Sequence, residues 1–431
     1  MEPYFPEVRS QGSEGSCAAF SLTYYNYGYI EAKDQGWTSA NTGNNSQLLS
    51  PSWTYNKVNG PGHEGSNFQE NARIIKQLGA ATWASYPYLA SDDEGLGPEA
   101  AWRSAPLHRI SSYTSVYNPS PSTVVSLVKE QLGLGRPISF AMDANQYSSA
   151  FADGNKIMSA QEYVHASYNH GQTIVGYDDA ISDDGDVGAF KVVNSWGKSW
   201  GQGGYYYITY GAIKEMLGYP LVYLIDLPDY QPTMLATWTF SSPPSVEASL
   251  EVGVGSSASP QDKVSTYFTT GSSNLMCPFM AMDVSTFSDE YSSGATNFYL
   301  KVGSASRTGT VSSFQLELHQ GAYSTAPGAV VARSTEVPRS VPGTVNAGLV
   351  QNDVIPPASQ LEALPDYTNS SVFQVHCQAS DAGGSGLDHW ELYYRLNSQG
   401  PYLLYAPSGN PSGAWTSLEI SFDSSMASGQ G

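Results

Sequence analysis

Cys17, His170 and Asn194 lie far apart in the chain, yet together they have the side chains needed for covalent attack on a carbonyl. A thiol is a useful nucleophile only as thiolate, an anion stabilised by a helix N-terminus and by a neighbouring imidazolium. Cys17 stands where both would act. Ser16 is placed to cap a helix opening at Ala18-Ala19-Phe20, with Phe20, Tyr24, Tyr27 and Ile30 at helical spacing. The base must come from another element. His170 precedes the apolar, β-like run from Gln172 to Tyr177 and so is expected at a strand start. Asn194 closes the strand-like run from Ala189 to Val193. Its amide would accept from one imidazole nitrogen and fix the tautomer facing the thiol, with Trp196 covering that bond from water. Taken singly, a cysteine at a helix start is most often a small buried hydrophobe. It is the joint occurrence, in this order, that points to a nucleophile, its base and an orienting amide.

The strings around these residues, Gln11-Gly-Ser-Glu-Gly-Ser-Cys17, Asn169-His170-Gly171 and Asn194-Ser-Trp196-Gly197, resemble the active site of the papain-like cysteine peptidases. The resemblance covers residues 1 to about 228. It extends to Gln47–Ser52 ahead of the substrate cleft, Gly62–Ser66 as its glycine-rich wall, Tyr86-Pro87-Tyr88, Gly135–Met142 as the strand behind the cleft, and Trp196–Tyr205. The separations of His170 and Asn194 from Cys17 are slightly longer than the roughly 130–150 residues usual for this layout. A long hairpin tip at Ser182–Gly188 accounts for part of the excess. The resemblance implies that Gln11 donates its side-chain amide to the oxyanion, with the Cys17 N–H as second donor. It also implies a substrate-binding set of Gly65, Ser66, Ala141, Tyr168, Asn169 and Trp196, with Ala141 and Tyr168 near the second subsite. Two departures stand out. Ala18 replaces the tryptophan that usually follows the nucleophile, and no other cysteine accompanies Cys17 before Cys277, so the domain can hold no internal disulfide.

His165 competes with His170 as base but lacks the following glycine and apolar strand, and His63 falls in the cleft-wall string. Asp183, Asp184 and Asp186 lack the terminal glutamate of a calcium loop and read as a solvated hairpin, so no metal ligand set is assigned. Cys277 and Cys377 both read as buried strand residues, and a bridge between them is not implied.

At 431 residues the chain has room for two or three domains. Only 13% of residues are charged, yet the net charge is −20, which leaves no basic patch to neutralise nucleic-acid phosphates. No run of about 20 apolar residues is present to span a membrane. The sequence opens Met1-Glu-Pro-Tyr with no secretory signal. The resembled family usually begins with a signal and an inhibitory pro-segment, so the sequence is expected to be a piece of a longer protein. Composition, family and appended domains suggest an extracellular or cell-surface setting.

These patterns predict an α+β, two-lobed peptidase domain over 1–229, followed by all-β sandwich domains. In the first domain, Ser66-Asn-Phe-Gln69 reads as a capping box for a helix running to Gly79, and Ser122–Leu132 as a second helix closed by Gly133. Short aromatic and β-branched strands follow Pro137. After a linker at Asp226–Pro232, residues 233–352 alternate as strands separated by Gly, Ser and Pro turns and suggest a jelly-roll sandwich. This region resembles the lectin-like domain appended to exported prokaryotic peptidases of the family. Two roles stay open for it, glycan binding at a cell surface and a structural spacer. Residues 358–431 read as a partial immunoglobulin- or fibronectin-like module, with fewer strands than the expected seven.

The sequence thus points to a cysteine endopeptidase acting on extended polypeptides without metal or cofactor. A piece ending near Asp229 would carry every candidate catalytic residue and is expected to keep activity on small peptides. Two rivals remain: a transglutaminase-like acyl transferase, which also orders Cys, His and an acid or amide, and a catalytically silent adhesion or binding protein.

Overall fold

The computed structural model describes residues 3–60, 65–164, 167–244, 248–270, 277–303 and 307–350. Beyond these it describes 358–364, 370–380 and the strands at 392–394, 403–405 and 417–423. The chain divides into two compact units, Met1–Gly348 and Leu349–Gly431.

The nucleophile region is helical from the outset. Cys17–Ala19 is α-helical, Phe20–Tyr27 continues as a π-helix with every residue buried, and Gly28–Asp34 returns to α. The periodicity of Phe20, Tyr24 and Tyr27 gives no warning of the wider π turn. Ser16 precedes this helix without a side-chain capping bond. Its hydroxyl instead donates to Tyr88 Oη (2.7 Å), which donates in turn to the Gln11 carbonyl (2.7 Å). The next major helix, Phe68–Leu78, is capped one residue later than the sequence pattern suggests. Asn67 accepts from Glu70 N at 2.9 Å, while Ser66 Oγ accepts from the Asn71 amide. The helix expected from Ser122 begins at Val124 and includes Gly133.

A seven-stranded sheet stands behind the cleft. Its order is Ile110–Val116, Leu221–Asp226, Ile138–Met142, His170–Asp183, Asp186–Val193, Tyr205–Thr209, Ile157–Met158, and only the last pair is parallel. His170 begins its strand and Asn194 follows the end of the next. These two strands form the long hairpin, which closes through Asp184 and Gly185, both at positive φ (48° and 88°) as a two-residue primed turn requires. Gly171 lets the strand approach the nucleophile helix closely, because a Cβ there would sit 3.1 Å from Ala18 Cα.

Residues 234–349 contribute a nine-stranded sheet that includes Met234–Ser242, Leu250–Ser256, Phe279–Asp283, Asn297–Val302, Gly309–Leu318 and Gly343–Leu349. Eight of its strands form one hydrogen-bonded path, and the ninth, Arg339–Val341, pairs with Gly309–Leu318 off that path. Its inward residues, among them Trp238, Val252, Leu300, Phe314 and Val345, belong to the same buried cluster as Trp53, Phe68, Ile75 and Trp102 of the helical region. The second unit contains a three-stranded sheet of Ala358–Leu361, Val372–Ser380 and Ser417–Asp423, and a pair of Leu392–Tyr394 with Leu403–Tyr405. No helix among the described residues is long and apolar enough to cross a membrane.

The expected boundary near residue 229 separates two architectures that share one interior. Arg103 makes a paired contact with Glu317 (Nη1–Oε2 2.7 Å, Nη2–Oε1 3.0 Å). Both side chains are almost fully buried. Arg109 pairs with Asp283, and Tyr323 donates to the Arg103 carbonyl. Cys277, a buried free thiol, packs near the Gly97 carbonyl. The Cys377 side chain lies outside the described residues.

Candidate active site

Cys17 and His170 line one cleft of about 730 Å³, together with Gln11, Gly65, Ser66, Ala141, Tyr168, Asn169 and Trp196. Asn194 sits beneath it, fully buried. His165 and His63 lie outside the described residues, as do Gly62 and Glu64 of the glycine-rich string.

The hydrogen bonds at Asn194 fix the protonation geometry. Asn194 Oδ1 lies 2.7 Å from Ser195 N and 2.7 Å from His170 Nε2. A backbone N–H can only donate, so the atom facing it is the amide oxygen and the side chain cannot be reversed. That oxygen must accept from His170 Nε2–H. In the neutral ring Nδ1 is then left with its lone pair, as a proton acceptor requires. Trp196 lies over the imidazole with ring centres 4.9 Å apart.

Burial works against isolated charge here. It pushes the Cys17 thiol up, against the backbone N–H groups of Gly171, Ala18 and Cys17 itself. It depresses His170 to about 4, with the Asn194 bond pulling the other way. Neither group readily carries a charge alone.

Gln11 is held from both ends. Its Nε2 donates to the Glu14 carbonyl at 2.6 Å and its Oε1 accepts from Ser195 Oγ. A carbonyl can only accept, so the amide nitrogen faces Glu14, and its second N–H remains to serve another acceptor. The Gln11 backbone N–H is tied to the Ser195 carbonyl at 2.8 Å, which links the loop before the nucleophile to the segment after Asn194.

The substrate-side residues divide in two. Gly65, at φ 122°, and Gly15 bring the walls together beside Cys17, where a Cβ on Gly15 would already lie 3.5 Å from Gly65 Cα. The Asn169 side chain is committed to structure. It donates to Asp143 Oδ1 (2.8 Å) and Ser167 Oγ (3.0 Å) and accepts from Ala144 N (2.8 Å), which anchors the loop before His170. Tyr168 packs on Tyr219, which meets Phe68 edge-on. Tyr219, Phe68 and Thr269 also line the cleft but are absent from the sequence-derived set. Phe68 is adjacent to the Gly65-Ser66 string and is recoverable by extending it, whereas nothing local marks Tyr219 or Thr269.

Two acidic groups among the described residues have the geometry to hold a cation, Glu31 with Asp34 and Asp226, and Glu162 with Asp183 and Asp184. Neither lines the cleft. In the hairpin group Asp184 accepts from Ser159 Oγ, and the neighbouring Asp186 accepts from Ala160 N and Thr209 Oγ1.

A family model described as papain family cysteine protease matches residues 2–219. A cathepsin L-like proteinase of Fasciola hepatica is 30% identical over 205 residues, covering 47% of this chain and 56% of that protein. Zingipain-2 of Zingiber officinale is 30% identical over 203 residues, covering 46% of this chain and 79% of that one. The chain spans 48–64% of the length of the first three curated relatives it matches. Among solved structures, the bromelain protease of Ananas comosus in complex with the E64 inhibitor is 23% identical with a TM-score of 0.38, covering 52% of this chain and 94% of that one.

Proposed function

Because the chain belongs to the papain family of cysteine proteases, we propose that it is a cysteine endopeptidase working through Cys17, His170 and Asn194. The supporting observation is Asn194 Oδ1 accepting from both His170 Nε2 and Ser195 N, since this leaves Nδ1 as the basic nitrogen. His170 takes the thiol proton as Cys17 Sγ bonds to the scissile carbonyl carbon. The oxyanion forms against the second Gln11 N–H and the Cys17 backbone N–H. As the intermediate collapses, His170 returns the proton to the departing amine and a thioester remains. Water, deprotonated by His170, then attacks the thioester, and the acid product and free thiol are released. The chemistry needs no metal or cofactor.

Substrates are extended polypeptides lying along the cleft, with an apolar side chain favoured where Ala141 faces the aromatic Tyr168. The lectin-like reading of residues 233–352 and the extracellular or cell-surface setting rest on strand pattern, composition and family resemblance. Glycan binding through that region is the extension to test on a glycan array.

A peptide epoxide probe tests the central reading. It should label wild type at Cys17 and leave Cys17→Ser unlabelled, in parallel with Cys17-dependent peptide hydrolysis. Amine incorporation in place of hydrolysis would favour the acyl-transferase rival. An unreactive thiol at neutral pH would favour the silent binding protein.

A further inference from the structure

The second architecture reaches into the cleft. Residues 266–270 run extended after the strand Ser259–Thr266, and their burial alternates: Thr266, Phe268 and Thr270 point inward, Tyr267 and Thr269 outward. That period of two leaves one face of the segment to the peptidase region. Thr269 N donates to the Lys57 carbonyl at 3.0 Å, and its carbonyl accepts from Gly60 N at 2.6 Å. Two backbone bonds therefore pin the segment to the turn at Val58–Gly60, which itself lines the cleft. Two positions back, Tyr267 stacks under the Arg73 guanidinium (3.8 Å), and its carbonyl accepts from Arg73 Nη1 at 3.0 Å. Arg73 in turn holds the cleft-lining Glu70 at 2.6 Å. With the segment tied down in this way, the exposed Thr269 side chain is held at the cleft rim.

Resting on the peptidase reading above, we infer that Thr269 is a specificity-determining residue, supplied to the substrate cleft by the β-region. Among the described lining residues, Glu70 is the only carboxylate, and no lysine or arginine is present. Arg73 already answers the Glu70 charge, so the subsite at this end takes an uncharged substrate side chain in preference to a charged one.

Charge placed at residue 269 reads the subsite out directly. The full chain, as wild type, Thr269→Ser, Thr269→Lys and Thr269→Glu, is assayed for kcat/KM against fluorogenic peptides. These vary one position at a time among Ala, Lys and Glu on both sides of the scissile bond. At one substrate position Thr269→Lys should favour the acidic peptide and Thr269→Glu the basic one, each by about two- to fivefold, the scale of a partly exposed ion pair. Thr269→Ser should keep the wild-type profile. Identical profiles in all four proteins would overturn the inference while leaving the peptidase reading intact. So would a uniform loss across every peptide in both charged variants, because that reports a damaged cleft and not a contact. Failure of wild type to hydrolyse any peptide, with Cys17 unlabelled by the epoxide probe, would sink the peptidase reading and this inference with it.

Discussion

The Cys17–His170 end of the cleft and the Arg103–Glu317 contact are both buried clusters of ionisable groups, and burial has opposite outcomes in them. At the contact, burial opposes the Arg103 charge, but the paired bonds to Glu317 more than offset it and hold the guanidinium firmly protonated. Glu317 is also desolvated, yet Arg103 and the Gly328 N–H keep its carboxyl below the usual range. At the cleft no fixed counter-charge exists among the described residues that shift the pair, and burial pushes Cys17 up and His170 down. One site is electrostatically complete and structural. The other is left incomplete, its thiol and imidazole both held toward their uncharged forms.

The largest expected effects come from breaking the incomplete site. Cys17→Ala should abolish hydrolysis, and His170→Ala should lower kcat by at least about 10⁴-fold, as removal of a base acting as one unit with its nucleophile does. Both variants should melt close to wild type. Appreciable Cys17→Ala turnover above buffer would show that some other group carries the reaction. A step below, Gln11→Ala should cost about 10²–10³-fold in kcat, the scale of one oxyanion donor. Asn194→Ala should cost less than His170→Ala, because it removes orientation and leaves the base. Should Asn194→Ala match His170→Ala in kcat while folding normally, the amide would be doing more than setting the tautomer.

Breaking the complete site should move stability before chemistry. Arg103→Ala leaves Glu317 buried without its cation, a loss of about 3–5 kcal/mol by the usual cost of stranding one partner. The midpoint of denaturant unfolding reads this directly, and an unchanged midpoint would mean that Thr237 and Gln315, which also bond Glu317, suffice to hold it. The same interface changes the expectation for a piece ending near Asp229. Such a piece would expose Trp102, Phe68 and Ile75 where they share a core with the β-region, and would lose the Thr269 bonds to the cleft turn. It should be poorly soluble or inactive, and a folded piece with full activity and an unaltered peptide profile would refute this.

The same contrast explains what is legible in the sequence. The strand start at His170, the strand ending before Asn194 and the hairpin at Ser182–Gly188 are local, set by apolar runs and turn residues within a few positions. The helix entry falls one residue beyond the expected Ser66 because Ser66 and Asn67 are both good caps, and side-chain geometry favours Asn67. The π segment at Phe20–Tyr27 and the Tyr88 link between Ser16 and Gln11 depend on tertiary packing and leave no periodic trace. The Arg103–Glu317 pair and the Thr269 wall join residues some two hundred positions apart. In one dimension they are an ordinary arginine, a glutamate in a strand and a threonine among threonines.

A half-buried acid sharpens the comparison with the smallest effect. Asp226 ends the strand Leu221–Asp226, and its carboxylate gathers with those of Glu31 and Asp34 from the helix Gly28–Asp34. Burial pushes its carboxyl up to about 7, the negative charges of Glu31 and Asp34 push the same way, and the Leu227 N–H and His108 only partly oppose them. Glu31 is itself held by His108 Nδ1 (2.7 Å) and Tyr27 Oη (2.8 Å), so the imidazole beside it is already engaged. The unfolded carboxyl titrates near 3.9. Between about pH 4 and pH 7 the native state therefore keeps a proton that the unfolded state has lost. Stability falls as pH rises through that window and levels off above it. Asp226→Asn mimics the protonated acid and should remove the penalty. The variant should match wild type near pH 4 and melt about one to two degrees higher at pH 8, a gain of the size about 1 kcal/mol produces in a protein of this length. Melting curves of both proteins from pH 4 to pH 8 decide it. Parallel curves across that range would mean that Asp226 stays ionised without cost, and the cluster would then belong with Arg103 and Glu317 as a site whose charges are fully answered.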